Sequence, residues 1–444
     1  MLEKPLLVID GVGFALSSAL SNLRRSLSFR LKLLRYAMSS SSKSSSSSEP
    51  KKPRNIVIVG ASMAGYTAAR TIAQYLLPDS EYRIVVIEPR GHFHFTWVLP
   101  RFCVVEGHEH KAFIPFGGYL PAGSLEADGG KVAWIQDRVA SVSREAVSLQ
   151  SAGGEEIPYE FLIVATGAGA TDSLPSRVPA DDKAEGMELL REMQKRIREA
   201  KDLVVVGAGA AGVELATDAK SKYPEKRVVL VHSRDAVMHR FGPELQKAAR
   251  DGITELGIEL ITGDRVVSED KEKGIVMLKS GKEIVCDCLV NCTGQRPNSK
   301  LVAALSPTSI SESGHILTKP TLQILDDSLP NIYCCGDVSE NNTAHPNSRS
   351  AMRQAKIVGY NVVSATEGEK PREKYIPHWT DGGIKLTLGL DKSVANLGGA
   401  KAGFVIPTKE KNIALMSAGA WHKLGAKPFE DTGSEFLAKI KAKI

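Results

Sequence analysis

Two short glycine-rich turns hold the residues of this sequence best suited to chemistry. The first is Gly60-x-Ser62-x-x-Gly65. It follows the apolar run Ile56–Val59 directly, and Ala64, Ala68, Ala69 and Ile72 then recur at helical spacing. A second apolar run, Ile84–Ile87, ends in Glu88. In a strand–turn–helix–strand unit of this kind the first glycine permits a tight turn, and the middle position must be small so that the backbone can approach a pyrophosphate. The helix N-terminus then offers unpaired N–H groups and the positive end of its dipole. Ser62 replaces the usual middle glycine and stays within that size limit, while Glu88 is placed to accept hydrogen bonds from a ribose. The pattern returns complete at 203–234, as Gly207-x-Gly209-x-x-Gly212, with a second strand Val228–Val231 leading into His232-Ser233-Arg234.

One such turn is weak grounds for function; two, each between a strand and a helix, predict two bound dinucleotides. The simplest pair is a tightly held FAD in the Glu88 unit and an exchangeable NADPH or NADH in the second. An acid ending the second strand selects NAD, because it bonds the ribose 2′-hydroxyl and repels a 2′-phosphate. The second unit has no acid there until Asp235. Arg234 can pair with a phosphate through its planar fork, His232 and Ser233 can each donate a hydrogen bond, and partial protonation of His232 would add attraction. This predicts NADPH used at least as well as NADH. The alternative is a solvated loop that tolerates both, with Asp235 offsetting Arg234.

Three more segments extend the pattern: YEFLIVATGA with Thr166-Gly167, CDCLVNCTGQRPN with Thr293-Gly294, and LPNIYCCGDVSE with Gly336-Asp337. Together the five motifs resemble the two-dinucleotide-binding-domain flavoproteins of the pyridine nucleotide–disulphide reductase class, over roughly residues 54–365. VVLVHSR and IKLTLGLDKSVANLGG are similar to the apoptosis-inducing-factor-like, ferroptosis-suppressor-like group of fungal type. The resemblance implies that Asp337 binds the FAD ribitol and that the two Thr-Gly segments carry the chain between the FAD and nicotinamide domains. It also implies that Glu214 lies at the flavin–nicotinamide junction; the alternative is an acid that complements the helix dipole. FHFTWVLPR is similar to a flavin-adjacent segment of type II NADH dehydrogenases, from which Trp97 and Val98 depart, and it makes Arg101 a candidate beside the flavin. The alternative for Arg101 is a solvated loop residue. Glu214 and Arg101 are thus the catalytic candidates. The helix expected over 350–362, with Arg353 and Gln354, is implied near the flavin ring and acceptor path; Trp379, Trp421 and Phe429 line an acceptor channel or pack a core.

The elements that position these residues predict an α/β fold. It comprises an FAD domain over 54–174 and 290–365, an NAD(P) domain over 175–289, and a C-terminal α+β domain over 366–444, each Rossmann-like unit being a doubly wound sheet. The chain carries a net charge of +6, but residues 1–55 alone carry +7, so the body is near neutral and no nucleic-acid surface is favoured. None of the six cysteines stands in C-x-x-C spacing, and the usage suits a reducing compartment. Electrons must then leave the flavin for an external acceptor, which the resemblance implies is a quinone. The competing functions are a reductase of a small iron–sulfur protein, needing a basic docking face, and a flavin-switched signalling protein. His92 and His94 lack partners at metal-ligand spacing and are read as strand or loop residues, with no metal expected.

Residues 1–53 are expected to be a disordered or targeting segment ending in the Ser-rich linker SSSSKSSSSS. The acid-poor stretch 11–38 reads as a mitochondrial presequence, as a surface-membrane helix, or as a segment preceding a start at Met38. Asp10 breaks the run Leu6–Leu20 below the ~20 apolar residues of a span, so the expectation is a cytoplasmic protein with peripheral membrane contact at most.

Overall fold

The computed structural model describes residues 3–40, 54–151, 153–170, 174–343, 346–398 and 403–441. It begins with helix α1 (Glu3–Ser40), followed by β1 (Arg54–Val59), α2 (Met63–Tyr75), β2 (Tyr82–Ile87), β3 (Val132–Ile135) and β4 (Phe161–Val164). Helix α3 (Lys183–Glu199) opens the second unit. It is followed by β5 (Asp202–Val206), α4 (Ala210–Lys222), β6 (Arg227–His232), α5 (Pro243–Glu255), β7 (Glu259–Thr262) and β8 (Cys288–Asn291). The chain returns with β9 (Ile332–Cys334) and α6 (Ser348–Thr366), and ends in β10 (Ile384–Thr387), β11 (Lys392–Gly398), β12 (Gly403–Lys409), α7 (Ser417–Lys423) and α8 (Gly433–Lys441).

Two parallel sheets result, ordered β9-β4-β1-β2-β3 and β7-β6-β5-β8. Their strands are apolar on both faces because both faces are covered. In the first sheet Ile56, Ile58, Ile84 and Val86 join the helix-side core, while Val57, Val59, Val85 and Ile87 pack under a three-stranded appendage drawn from residues 139–158. The second sheet repeats the arrangement, with Leu203, Val205, Val228 and Leu230 on one side and Val204, Val229 and Val231 on the other. The domain boundary placed at 290 falls inside β8, which pairs with β5 through Asn291, so the nucleotide sheet keeps its fourth strand.

The two Thr-Gly segments cross side by side between the units. Residues 168–170 pair antiparallel with 295–297. Thr166 Oγ1 donates to the Asn298 carbonyl at 2.8 Å, and Asn298 Nδ2 donates back to the Thr166 carbonyl at 2.9 Å. The C-terminal domain is a three-stranded antiparallel sheet with α7 and α8.

The disorder expected over 1–53 does not hold for residues 3–40, which form α1 and dock on the body; the Ser-rich linker lies outside the described residues. Phe14 stacks on His378 at 3.8 Å, Arg25 pairs with Glu373, Phe29 meets Tyr75 edge-on, and Lys32 pairs with Glu367. The stretch Pro5–Met38 is long and apolar enough to cross a membrane, contrary to the sequence expectation. That holds by length and composition alone; within the stretch the Asp10 carboxylate accepts from the Trp379 indole at 2.7 Å and lies 2.9 Å from His378 Nε2.

The third glycine of each turn is where helix and strand come closest. A Cβ at Gly65 would overlap the Gly60 carbonyl oxygen, and one at Gly212 would overlap that of Gly207. Gly212→Ala is therefore expected to destabilise the protein by about 1–3 kcal/mol through forced backbone displacement. Urea unfolding checks this; an unchanged midpoint would show that the turn has room.

Candidate active site

The two glycine turns build the same cradle twice. Gly60 and Gly207 have φ of +93° and +101°, the left-handed region that glycine enters without penalty. Helices α2 and α4 share one trait: their N-caps, Ser62 and Gly209, make no side-chain capping bond. By contrast α3 and α6 are capped by Asp182 and Asn347. The uncapped N–H groups of α2 and α4 suit a pyrophosphate. A Cβ at Gly209 would meet nothing within 4 Å, which is the open space a phosphate needs and explains why a serine is accommodated at the matching position, 62.

The acceptor ending the second strand is where the units diverge. Glu88 Oε2 accepts from the Ala61 N–H at 2.6 Å and Oε1 from the Arg90 N–H at 3.1 Å, beside a small cleft also lined by Ser62. In the second unit His232 occupies the equivalent place, with Nδ1 accepting from the Ala208 N–H at 3.1 Å. That bond assigns the proton to Nε2, which faces His239 Nδ1 at 3.2 Å. Burial, then His239 and Arg234, push the His232 pKa down. The expectation of a partly protonated His232 donating to a phosphate is thereby corrected: the ring is buried, neutral, and engaged on both nitrogens. Ser233, Arg234, His239 and Arg240 are exposed around it. His239 escaped the sequence reading because it lies on a turn seven residues on, brought back by Met238 at φ 51°.

At the junction of the units Glu214 and Asp218 lie one turn apart on α4. Asp218 is fully buried and Oδ2 accepts from Arg101 Nε at 2.5 Å; Arg101 is 1% exposed and its Nη2 donates to the Gly389 carbonyl at 3.0 Å. The solvated-loop alternative for Arg101 is excluded by that burial. Its polar contacts go to protein, which makes it a positioning residue in this structure. Glu214 is half-buried, and Oε1 accepts from the Thr387 N–H at 3.2 Å. Burial, aided by the Asp218 carboxylate, pushes its pKa up to about 8 against the opposing Thr387 bond. Asp218 moves the same way, to about 6, with Arg101 opposing. Asp218 was signalled by its i,i+4 spacing from Glu214; Thr387 had no local signal.

Gly336 and Asp337 follow β9. The Gly336 N–H donates to Gln354 Oε1 at 2.8 Å, so Gln354 holds this turn in place. Asp337 has a contact with Arg177 at 3.4 Å, a residue in a loop that carried no motif. Arg353 differs from expectation. It donates to Asp381 and the Ile376 carbonyl and covers the rings of Phe14 and Tyr375, toward α1. Trp421 is fully buried, with its indole on the Lys111 carbonyl at 3.0 Å and its ring against Phe429, while Trp379 binds Asp10; the first two pack a core and the third packs α1. His92 pairs with Asp431. Thr293 donates from N and Oγ1 to Asn291 Oδ1, bracing the second crossover ahead of Gly294.

Two turn–helix cradles in series, joined by paired crossovers, are thus present in one chain. Residues 54–356 match the family described as pyridine nucleotide-disulphide oxidoreductase. The chain belongs to that family. Among its relatives, Fe-regulated protein 8 of Mycosarcoma maydis is 31% identical over 84% of this chain and 95% of its own length. Ferroptosis suppressor protein 1 of Xenopus tropicalis is 26% identical over 83% and 96%. Of solved structures, an NAD-dependent persulfide reductase from A. fulgidus superposes with a TM-score of 0.60 at 24% identity, over 78% of this chain. The match spans 64% of that structure, less than two thirds of its length, and shows the shared fold. A water-forming NADH oxidase from Lactobacillus brevis, bound to NADH, gives 0.59 at 21% identity. This oxidoreductase uses FAD and NAD(P)H. Both cradles, at Gly60, Ser62, Gly65 and Glu88 and at Gly207, Gly209 and Gly212, have the open, uncapped helix N-termini that fit a dinucleotide pyrophosphate.

A carboxyl raised in the folded state contributes stability that is complete below its unfolded value, near 4.3, and is lost as pH rises through the folded value, here about 8 for Glu214. Glu214→Gln removes that loss. The stability of the FAD-loaded variant relative to wild type is therefore expected to rise between about pH 5 and pH 8.5. Melting temperatures across this range test it; parallel curves would mean Glu214 titrates normally.

Proposed function

We propose that the protein is an NAD(P)H:quinone oxidoreductase, in which FAD relays electrons to an external, lipid-soluble quinone. The observation that carries this reading is the state of the cysteines. All six are free, and five are buried. Burial pushes the thiols of Cys103 and Cys334 well above the usual range, and those of Cys286 and Cys335 up to about 12. A family named for disulphide chemistry here has thiols unsuited to it, because the thiolate is the reactive form.

When bound, the flavin supplies two-electron transfer between nicotinamide and acceptor. Reducing a quinone with one hydride takes up one further proton. Glu214, protonated at neutral pH by its raised pKa, holds a proton at the junction of the two units. Arg101 and Asp218 fix the helix that carries it. Thr387 fixes the carboxyl itself.

Helix α1 supports peripheral contact with a membrane in which such a quinone would dissolve. Leu6, Ile9, Val12, Leu16, Leu20, Leu23, Leu27, Leu31 and Leu34 are all exposed, spaced three or four apart along one side. The opposite side docks on the body through Phe14, Arg25 and Phe29. An exposed apolar row with Arg24, Arg30 and Arg35 on the same helix suits an anionic bilayer surface.

Turnover with a short-tail soluble quinone and with a long-tail quinone in anionic liposomes tests both parts. Wild type is expected to use both, and Leu16→Glu/Leu27→Glu to keep the first and lose most of the second. Reoxidation by a disulphide faster than by any quinone would overturn the acceptor assignment.

For the cofactor, a neutral His232 in place of a carboxylate removes the charge that would repel a 2′-phosphate, and Arg234, His239 and Arg240 lie around it. NADPH is expected to match or exceed NADH in kcat/KM. Arg234→Ala should lower NADPH use about tenfold, equivalent to about 1.4 kcal/mol, while leaving NADH unchanged. A wild-type preference of tenfold for NADH would show that the site does not read the phosphate.

A further inference from the structure

A second cavity lies away from both dinucleotide cradles. It is an open cleft with a volume of about 400 Å³, bordered by α1, α2, α6 and the end of α7, and its three cations are exposed. Its cations are Arg70 on α2, Lys356 on α6 and Lys423 on α7, and its aromatic walls are Tyr75, Tyr119 and Tyr360. Asn22 closes it from α1. The α2 residues involved run from Thr67 to Tyr75, one to three turns beyond the helix N-terminus where a dinucleotide phosphate belongs.

The cavity is built for negative charge. No residue lining it is acidic. None of the three cations has a carboxylate partner among the described residues, whereas the nearby Glu373 and Glu367 are already paired with Arg25 and Lys32 of α1. Arg70 is held in place over the Tyr119 ring at 4.4 Å, and Tyr119 lies 3.4 Å from Thr67 Oγ1. Tyr75 and Tyr360 meet edge to face at 5.4 Å, and Arg25 covers Tyr360 from the α1 side at 4.4 Å. Arg70 and the three tyrosines are therefore held in place by their neighbours. Lys423 feels the field of this arrangement: burial first, then the charges of Arg349 and Lys356, lower its pKa. Like charges gathered around a cavity without a counter-charge repel, and an anion that enters relieves that repulsion. A phosphate monoester, with about −1.5 to −2 charge at neutral pH and three acceptor oxygens, matches three cations converging from three helices.

We propose that this cleft is a binding site for a phosphate monoester, separate from the cofactor sites and closed on one side by α1. The same chemistry is offered by a lipid headgroup of the phosphatidic-acid type and by a free phosphate. The proposal does not depend on the identity of the electron acceptor.

The test uses the full-length, FAD-loaded protein saturated with NADP⁺, so that the cofactor phosphate sites are filled. Calorimetric titrations are made with inorganic phosphate and with dihexanoyl phosphatidic acid below its micelle concentration. One saturable site is expected, weakened at least tenfold in Lys356→Ala/Lys423→Ala, with the flavin spectrum and its bleaching by NADPH unchanged. Saturable binding of phosphatidic acid alone assigns the site to a lipid headgroup; equal binding of both probes assigns it to the phosphate itself. Absence of saturable binding by either probe, or binding that the double variant leaves intact, overturns the proposal.

Discussion

Arg101 holds its charge at 1% exposure, inside a protein of ordinary composition. A buried cation carries a desolvation cost of several kcal/mol unless a partner and further hydrogen bonds offset it. Here the partner, Asp218, comes from the second nucleotide unit, and the further bonds come from the carbonyls of Gly389 and Leu390 in the C-terminal domain. Three domains therefore meet at one guanidinium. Removing one member of such a pair costs about 3–5 kcal/mol, because the other is left charged and buried. This contact ties the two nucleotide units and the C-terminal sheet to one another. Burial raises both carboxyls nearby against the pull of Arg101: Asp218 keeps one oxygen, Oδ1, with no hydrogen bond, and its charge one turn away adds to the rise at Glu214.

The two cradles show how one backbone solution serves two nucleotides. The first and third glycines do the same steric work in each, and the N–H after the first glycine donates to the side chain that ends the second strand. That acceptor is a carboxylate in one unit and a neutral imidazole in the other. The bond to Ala61 or Ala208 is satisfied either way. What changes is the charge at the end of the second strand, negative at Glu88 and absent at His232, while the turn itself keeps the same geometry.

Helix α1 adds a layer that the dinucleotide units do not require. One side carries Phe14, Arg25 and Phe29 into the body, and the other leaves a row of leucines exposed. An apolar helix with no docked side would be free to leave the protein; one docked on both sides would expose nothing. The observed arrangement keeps the helix next to the body while presenting an apolar edge, and it closes a cationic cleft that α2, α6 and α7 alone would leave open.

Much of this architecture was legible in the residues. The glycine turns, the apolar strands and the two Thr-Gly crossovers are local features: a Gly at φ +93° or a helix beginning beside a strand is specified within about ten residues, so the order of motifs revealed both units and their cofactors. The lack of C-x-x-C spacing, too, could be read directly, and Cys334 and Cys335 are buried as their apolar run suggested. Other features depended on contacts between distant segments. Arg101 was a candidate beside the flavin, with a solvated loop as the alternative, and neither reading foresaw Asp218, 117 positions on, enclosing it. His232 looked like a phosphate donor until the turn at Met238 brought His239 against it and the Ala208 N–H fixed its tautomer. Arg353 lay on the expected helix but on the side facing Asp381. Residues 3–40 read as disordered or targeting because their docking partners, Glu373, His378 and Tyr75, lie far along the chain. The sequence by itself determined the turns, the strands and the cofactor cradles, since steric limits on the backbone act between near neighbours. Only the tertiary structure decided which charges are buried and what they face, since desolvation and pairing are set by whatever the fold brings alongside.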